Sequence, residues 1–248
     1  MIRTVFAFIN HLFWTGLMGT IAILVSPLDT RGKMIATVTR LWAYFLLKGC
    51  GVPFRVRGLE KLDRGKYYIF AANHESAIDI PLVFAALPFQ VVSMAKKELK
   101  KIPILGWAMT RARHVFVDRK NHRRAVESLA QAVESLKEYP RSVIVFPEGT
   151  RSTDGEIHRF KKGGLGLAVD LGIPVVPMAV CGTRDILSPH SPRLRPGTIE
   201  LRIGSPIETS DWAESTKSKF AEYVREQVAS LKATWLSEKR GNAEMAPA

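Results

Sequence analysis

The chain has 248 residues, of which 46% are hydrophobic, enough for one α/β domain with a sizeable core and an appendage. Its 36 Lys and Arg residues against 23 Asp and Glu give a formal net charge of +13, which indicates an anionic partner: a membrane surface, a nucleic acid or a phosphate-bearing substrate. The two cysteines, Cys50 and Cys181, fit no metal-ligand or redox spacing, so composition favours neither a zinc site nor thiol redox chemistry.

The first predicted element is an apolar amino-terminal helix. From Thr4 to Val25 the chain carries no formal charge, and this run is long enough to cross a hydrocarbon core. We do not expect a signal peptide, because the apolar run is long and Ser26–Asp29 is a poor cleavage site. Four polar residues make the run a weak membrane span: Asn10, His11, Thr15 and Thr20.

A second helix is predicted from Lys33 to Lys48, with an apolar face and basic residues opposite. Arg40 near its middle argues against a span surrounded by lipid, because a central Arg costs roughly 2.5–3.5 kcal/mol on insertion scales. Two arrangements stay open. The helix lies in the membrane interface with its basic residues toward headgroups, or its apolar face packs on the first helix or on the domain. The first arrangement makes residues 1–50 a two-helix membrane-association segment, which holds the rest at an anionic leaflet.

After residue 50 the pattern changes to alternating strands and helices. Helices are predicted from Asn121, an N-cap residue, to Tyr139, and from Ser210 to Glu238, with a tail over residues 241–248. The alternation predicts an α/β domain over residues 51–240, with a mixed, largely parallel sheet flanked by helices. The predicted strands are Phe54–Arg57, Tyr67–Ala71, Val91–Ala95, Val115–Asp118, Ser142–Phe146, Val175–Val180 and Ile199–Ile203.

The most informative motif is NHESAID, residues 73–79, which directly follows an apolar run. Helix neighbours are three and four residues apart, so His74 and Asp79 can meet only if His74 is on the loop and Asp79 is in the first turn of the next helix. Ser76 as N-cap permits this arrangement. His74 is then a general base, and Asp79 orients its ring. The alternative is a structural histidine beside an aspartate that complements the helix dipole.

Two further polar clusters follow predicted strands: VDR at residues 117–119 and FPEGTR at residues 146–151. Ligands gather at the carboxyl ends of strands in α/β sheets, so three such clusters predict one shared cleft. Arg151 is suited to binding a phosphate, because a guanidinium binds it with two parallel hydrogen bonds. The turn at Glu148 to Thr150 can direct backbone N–H groups toward the same anion. Asp118 and Arg119 belong to the cleft or form a structural salt bridge.

These clusters, with Ile173–Pro177, resemble the four motif blocks of the glycerolipid acyltransferase family, most closely its bacterial 1-acyl-glycerol-3-phosphate acyltransferases. The resemblance runs from about Gly58 to Gly204. It implies that the FPEGTR block binds the glycerol phosphate, that Lys96 and Lys97 pair with this phosphate unless they only begin a solvated helix, and that Arg119 matches the second block. The substrate-binding residues it implies are Glu148, Gly149, Thr150, Arg151, Lys96, Lys97 and Arg119.

The resemblance also implies an activity. An acyl group would pass from acyl carrier protein or coenzyme A to the sn-2 hydroxyl of lysophosphatidic acid, giving phosphatidic acid without metal or cofactor, with His74 and Asp79 as the catalytic residues. We expect the protein at the inner (cytoplasmic) membrane, with its catalytic domain on the cytoplasmic side. The alternatives are another lyso-lipid acceptor, or a non-catalytic protein that binds anionic lipid or nucleic acid. No nucleic-acid module is visible, so we expect no nucleic-acid partner.

Overall fold

The computed structural model of the chain describes residues 2–118 and 120–244. Within these ranges one seven-stranded sheet has the order β1-β7-β6-β2-β5-β3-β4, and every adjacent pair is parallel except β6 with β7. The predicted mixed, largely parallel sheet is therefore confirmed. The strands are β1 (Phe54–Arg57), β2 (Ile69–Ala72), β3 (Val91–Lys96), β4 (Val115–Val117), β5 (Ser142–Val145), β6 (Val175–Cys181) and β7 (Ile199–Ile203).

Helices cover both faces of this sheet, and two more precede it. Short 3-10 turns at Leu59–Lys61, Lys97–Lys101 and Glu214–Thr216 join elements. The α-helices are α1 (Ile2–Val25), α2 (Lys33–Gly49), α3 (Asp79–Ala86), α4 (Leu105–Arg111), α5 (His122–Glu138), α6 (Lys162–Leu171), α7 (Thr183–Ile186) and α8 (Lys217–Glu244).

The central strands are apolar on both sides because each side is covered. Along β2, Phe70 packs in the cluster that contains residues of α2 and α3, whereas Ile69 packs in the cluster with α6 and α8. All four residues of β2 and of β5 are buried. Strands with helices on both faces read as continuous apolar runs, which is why β2 and β5 were recognisable in the sequence.

One predicted helix start is confirmed and another is wrong. Asn121 caps α5 as predicted, since its Oδ1 accepts the backbone N–H of Arg124 at 3.1 Å. The last helix was predicted to start at Ser210, but α8 starts at Lys217, because the residues before it form a 3-10 turn. It also continues to Glu244, into the predicted tail, whose residues 245–248 lie outside the described part of the chain.

The apolar face of α2 packs against protein. Ala43 and Leu47 belong to the core cluster that lies against the sheet. In one of the two predicted arrangements, the Arg40 side chain points toward lipid headgroups. This prediction for Arg40 is wrong. Its guanidinium donates to the backbone carbonyls of Leu87 and Phe89, both at 3.2 Å, and so ties α2 to the segment that follows α3. The boundary of a separate segment at residue 50 stays a prediction.

Some residues of helix α1 pack against α2, and others are exposed. Asn10 is buried and donates from Nδ2 to the carbonyl of Leu46 at 3.2 Å, and Thr15 accepts from the Trp42 ring N–H at 3.1 Å. Only 11% of the most apolar part of α1 is buried, so α1 is not a core helix. Its large exposed apolar side chains are Ile2, Val5, Phe6, Phe8, Ile9, Leu12, Phe13, Leu17 and Leu24.

Candidate active site

Adjacent parallel strands bring the motif loops to one edge of the sheet. β2 lies between β6 and β5, β3 follows β5, and β4 follows β3. His74 is the second residue after β2, Arg151 lies in the loop after β5, and Lys96 ends β3. Because these strands are parallel, the loops leave the sheet on the same side and face a common cleft.

The imidazole of His74 is paired with a buried carboxylate. Its Nδ1 lies 2.7 Å from Oδ2 of Asp79, the first residue of α3, which is fully buried. The same oxygen accepts the backbone N–H groups of Glu75 at 2.6 Å and Ser76 at 2.8 Å. An oxygen that accepts from two N–H groups acts as acceptor in the third contact also, so Nδ1 of His74 carries a proton and Nε2 is its basic nitrogen.

Ser76 was expected to cap α3, and this is wrong. The helix begins at Asp79, with Ile78 at its N-cap position. The Ser76 hydroxyl accepts the Ile78 N–H at 3.3 Å and donates to the carbonyl of Leu187 at 2.7 Å. The Asp79 carboxylate reaches back over the preceding loop and bonds the N–H groups there, so the serine is free to fasten this loop to the segment after α7.

The main chain of His74 is held by the loop that follows β5. Its N–H donates to Oε1 of Glu148 at 2.9 Å, and its carbonyl accepts the N–H of Ser152 at 2.7 Å. The imidazole stacks on the ring of Phe146 with 4.3 Å between centroids. These contacts fix both the position of the histidine and the plane of its ring.

Glu148 is buried, and both its oxygens accept backbone N–H groups. Oε1 accepts from His74, and Oε2 accepts from His158 at 3.2 Å. Burial raises the pKa of Glu148, against the effect of these two hydrogen bonds. The N–H of Gly149 was expected to face an anion, but it donates to the carbonyl of Phe146 at 3.0 Å and closes the turn.

Arg151, Thr150 and Lys96 line the same cavity as His74. Arg151 and Thr150 are exposed, and the Lys96 side chain is half exposed, 3.8 Å from a carboxylate oxygen of Glu98. The cleft therefore presents two exposed cations and one fixed imidazole.

Lys97 is engaged elsewhere. Its ammonium forms an ion pair with Asp118, whose other oxygen accepts the backbone N–H of Lys120 at 3.1 Å. The hydrogen bond from Lys97 lowers the pKa of Asp118. These two residues link the segments that follow β3 and β4, and Arg119 lies outside the described residues.

The cavity beside His74 has a volume of about 1100 Å³ and mostly apolar walls. It lies between the two amino-terminal helices and the sheet domain. The α1 residues that line it extend from Thr4 to Ala22, a rise of about 27 Å along the helix. A cavity of this length and polarity suits a long hydrocarbon chain better than a polar metabolite.

One imidazole in this wall is neutral. Nδ1 of His114 accepts the backbone N–H of Ser93 at 2.9 Å and lies 2.7 Å from the Ser93 hydroxyl. Burial, with a smaller effect from the nearby charge of Arg141, lowers the pKa of His114 to about 4. This part of the cavity wall is therefore uncharged, which suits contact with an alkyl chain.

Comparison with known proteins decides the family. A family model described as Acyltransferase matches residues 53–181. The chain is also 35% identical over 216 residues to the 1-acyl-sn-glycerol-3-phosphate acyltransferase of Saccharomyces cerevisiae, which covers 86% of this chain and 71% of the yeast protein.

The chain belongs to the acyltransferase family.

Two further relatives support this assignment. The 1-acyl-sn-glycerol-3-phosphate acyltransferase of Limnanthes douglasii is 38% identical over 185 residues, 75% of this chain, and the chain spans 62% of that plant protein. The crystal structure of the 1-acyl-sn-glycerophosphate (LPA) acyltransferase of Thermotoga maritima superposes with a TM-score of 0.79 at 28% identity, and covers 100% of this chain and 97% of its own.

For two residues near the site of this acyltransferase, the sequence did not predict a role. The Asn73 side chain bonds both the N–H and the carbonyl of Val180, at 2.8 and 3.0 Å, and so continues the β2–β6 pairing by one step. The ammonium of Lys161 lies against Gly149, and a Cβ added at this glycine would be 2.8 Å from Nζ. Gly149 also has a φ of +79°, a conformation that favours glycine. Because the chain has 36 Lys and Arg residues, the sequence does not distinguish Lys161 from the other basic residues.

Proposed function

We propose that this acyltransferase moves an acyl group from a thioester, carried by acyl carrier protein or coenzyme A, to the sn-2 hydroxyl of 1-acyl-sn-glycerol 3-phosphate. The product is phosphatidic acid, and the reaction uses no metal or other cofactor. The observation that carries the proposal is the 2.7 Å contact of His74 with Asp79 in a cavity that Arg151 also lines. The relatives described above bear the name of this activity.

The chemistry follows from the protonation of His74. Nε2 takes the proton of the sn-2 hydroxyl while the hydroxyl oxygen attacks the thioester carbonyl. The carbon–sulfur bond then breaks, and the leaving thiolate takes the proton from the imidazolium. Asp79 stabilises that imidazolium during the step, as a carboxylate does in a Ser-His-Asp triad. No covalent acyl-enzyme is needed, and the Ser76 hydroxyl is committed to Leu187.

Arg151 and Lys96 serve as the anchor for the acceptor. A guanidinium can hold two phosphate oxygens at once, and Lys96 adds a point charge from the neighbouring strand end. Thr150 and Lys161 stand close to the same turn. Glu148 acts on the substrate indirectly, because its two oxygens hold the main chain of this loop and of the base.

The membrane supplies the acceptor. Nine large apolar side chains of α1 are exposed, and other residues of the same helix line the cavity. The acceptor enters from the bilayer with its chain along α1 and its phosphate toward Arg151. The net charge of +13 favours an anionic leaflet, and we place the catalytic domain on the cytoplasmic side of the inner membrane.

The test is a thiol-release assay on the purified, detergent-solubilised chain. Lysophosphatidic acid with either acyl-carrier-protein or coenzyme A thioester is expected to release thiol and give phosphatidic acid. Lyso-lipids without a terminal phosphate are expected to react poorly. Equal rates with phosphate-free acceptors would overturn the assignment of the acceptor, and no release with any pair would overturn the activity.

A further inference from the structure

Glu75 is a charged residue next to the base that the reaction does not use. Its side chain does not line the cavity and is only 5% exposed. The carboxylate accepts from Asn73 Nδ2 at 2.9 Å and forms an ion pair with Lys232 of α8. Burial raises the pKa of Glu75, and the hydrogen bond from Lys232 opposes this. A buried carboxylate of this kind needs its cation close by.

Lys232 has a second contact, and it reaches a different motif loop. Its ammonium donates to the carbonyl of Gly155 at 2.6 Å, in the loop that begins with Arg151. The lysine side chain is itself 12% exposed, so this cation is committed to the two loops. One ammonium therefore joins the loop after β2, which carries the base, to the loop after β5, which carries the anchor.

The loop around Gly155 is also fastened by the two residues that precede this contact. Arg184 donates to the carbonyls of Asp154 at 2.8 Å and Thr153 at 2.6 Å. On the other loop, Asn73 is fixed to β6. A displacement of Lys232 would therefore be transmitted to the two loops and not absorbed by loose chain around them.

We propose that Lys232 is a positioning residue, which acts from behind the cavity and, together with the bonds of Glu148 and Ser152 to the main chain of His74, holds the separation of His74 from Arg151. The inference rests on the proposed function, in which both residues must meet the same substrate. Stability alone is a poor reason for such a pair, because buried ion pairs frequently contribute no more than apolar residues of the same volume. Catalysis gives a better reason, since a displacement of about 1 Å at a catalytic group can cost on the order of 100-fold in rate.

Three variants test this: Lys232→Met, the neutral pair Glu75→Gln/Lys232→Met, and Lys239→Met. Lys239 is the matched control, on the same helix and paired with Asp185 at 3.1 Å, but with both side chains exposed. Lys232→Met is expected to lower kcat about 10-fold or more while both KM values change less than about 3-fold. Lys239→Met is expected to keep kcat within about 2-fold of the parent chain.

The neutral pair separates positioning from charge neutralisation. It removes the uncompensated carboxylate, so its thermal midpoint is expected to recover toward that of the parent chain. Its kcat is expected to stay low, because the side-chain link through Lys232 is still absent. Recovery of kcat together with the midpoint would overturn the proposal. So would a kcat for Lys232→Met equal to that of Lys239→Met.

Amide hydrogen exchange gives a readout that does not depend on activity. Loss of Lys232 is expected to speed exchange in the peptide over residues 73–79 and in the loop after Arg151, with the body of α8 unchanged. Uniform faster exchange across the chain would mean a purely structural role and would overturn the inference. A parent chain without transferase activity would contradict the proposed function, and the exchange pattern would still decide whether Lys232 holds both loops.

Discussion

The carboxylate of Glu148 accepts the backbone N–H of His74 at 2.9 Å, so the anchor motif holds the base motif directly. With the return bond from Ser152 to the His74 carbonyl at 2.7 Å, the two loops are tied by a reciprocal pair of hydrogen bonds. Glu148, three residues before the anchor Arg151, thus contributes to the geometry of the base through its bonds to the backbone.

Glu148→Gln should therefore impair turnover without changing acceptor affinity. The amide keeps one acceptor oxygen but directs an NH2 group at the other backbone N–H, which leaves a buried donor unpaired at a cost of about 1–3 kcal/mol. We expect kcat to fall about 10-fold with KM nearly constant. Glu156→Gln, an exposed position in the same loop, is the control. A large rise in the acceptor KM would instead indicate contact with the substrate.

His74→Ala should reduce kcat by at least about 100-fold, because a general base contributes this much. Asp79→Asn should also be severe, since a neutral amide cannot stabilise the imidazolium as the carboxylate does. Steady-state rates on protein with native circular dichroism are the measurement. Near-normal turnover by a folded His74→Ala chain is incompatible with the mechanism.

Arg151→Ala should raise the KM for lysophosphatidic acid much more than that for the thioester. The lost charged hydrogen bonds to phosphate correspond to about 1.5–3 kcal/mol, or roughly 10- to 100-fold. Arg151→Lys should recover part of this, because a point charge replaces a planar fork. Arg123→Ala, on the exposed side of α5, controls for net charge. Equal effects on both substrates would point to a structural role.

The exposed face of α1 should govern membrane binding. Deletion of residues 1–50 is a poor test, because α2 contributes Ala43 and Leu47 to the core. Ile9→Glu/Phe13→Glu changes two side chains that are 57% and 58% exposed, and charge in the apolar layer should weaken co-sedimentation with anionic vesicles about 10-fold or more. Tyr223→Glu, a 40% exposed position on α8, is the control and should bind as the parent chain does.

His114 should make the fold acid-sensitive. Its pKa is lowered from 6.5 to about 4, so the unfolded chain binds the proton more readily between these values. The stability that the neutral imidazole confers is therefore fully present above about pH 6.5 and is lost as pH falls toward 4. At pH 5 the free energy of unfolding is lower by about 2 kcal/mol. His114→Asn keeps an acceptor for the Ser93 N–H but does not titrate. Urea unfolding at pH 7.5 and pH 5 should show a smaller pH dependence for His114→Asn than for the parent chain. An unchanged pH dependence would contradict this assignment.

Much of the fold could be predicted because local pattern and burial agree. β1 and β7 have the bounds that the alternation predicted, and β2, β5 and β6 were continuous apolar runs. The pairing of His74 with Asp79 also followed from local spacing, since a five-residue separation is met by a loop that leads into a helix. In these cases the residues that decide the structure are close in sequence.

The remaining features depend on contacts between distant residues. Arg40 read as a headgroup ligand because nothing near it in sequence accepts its hydrogen bonds, and its partners are 47 and 49 residues away. The ion pair of Glu75 with Lys232 joins residues 157 apart. The Ser76 hydroxyl donates to the carbonyl of Leu187, 111 residues away, so the local pattern that favours a helix cap does not show its partner.

The strand order also has a consequence for biosynthesis. β1 lies at the sheet edge beside β7, and Thr4 of α1 accepts the backbone N–H of Leu194, a separation of 190 residues. On the ribosome, α1 and β1 emerge early and stay without these partners until nearly the whole domain has been made. Contacts of such long range form slowly, and an uncovered apolar helix promotes aggregation during the wait. A bilayer that receives α1 first would act as a holding surface for the nascent chain.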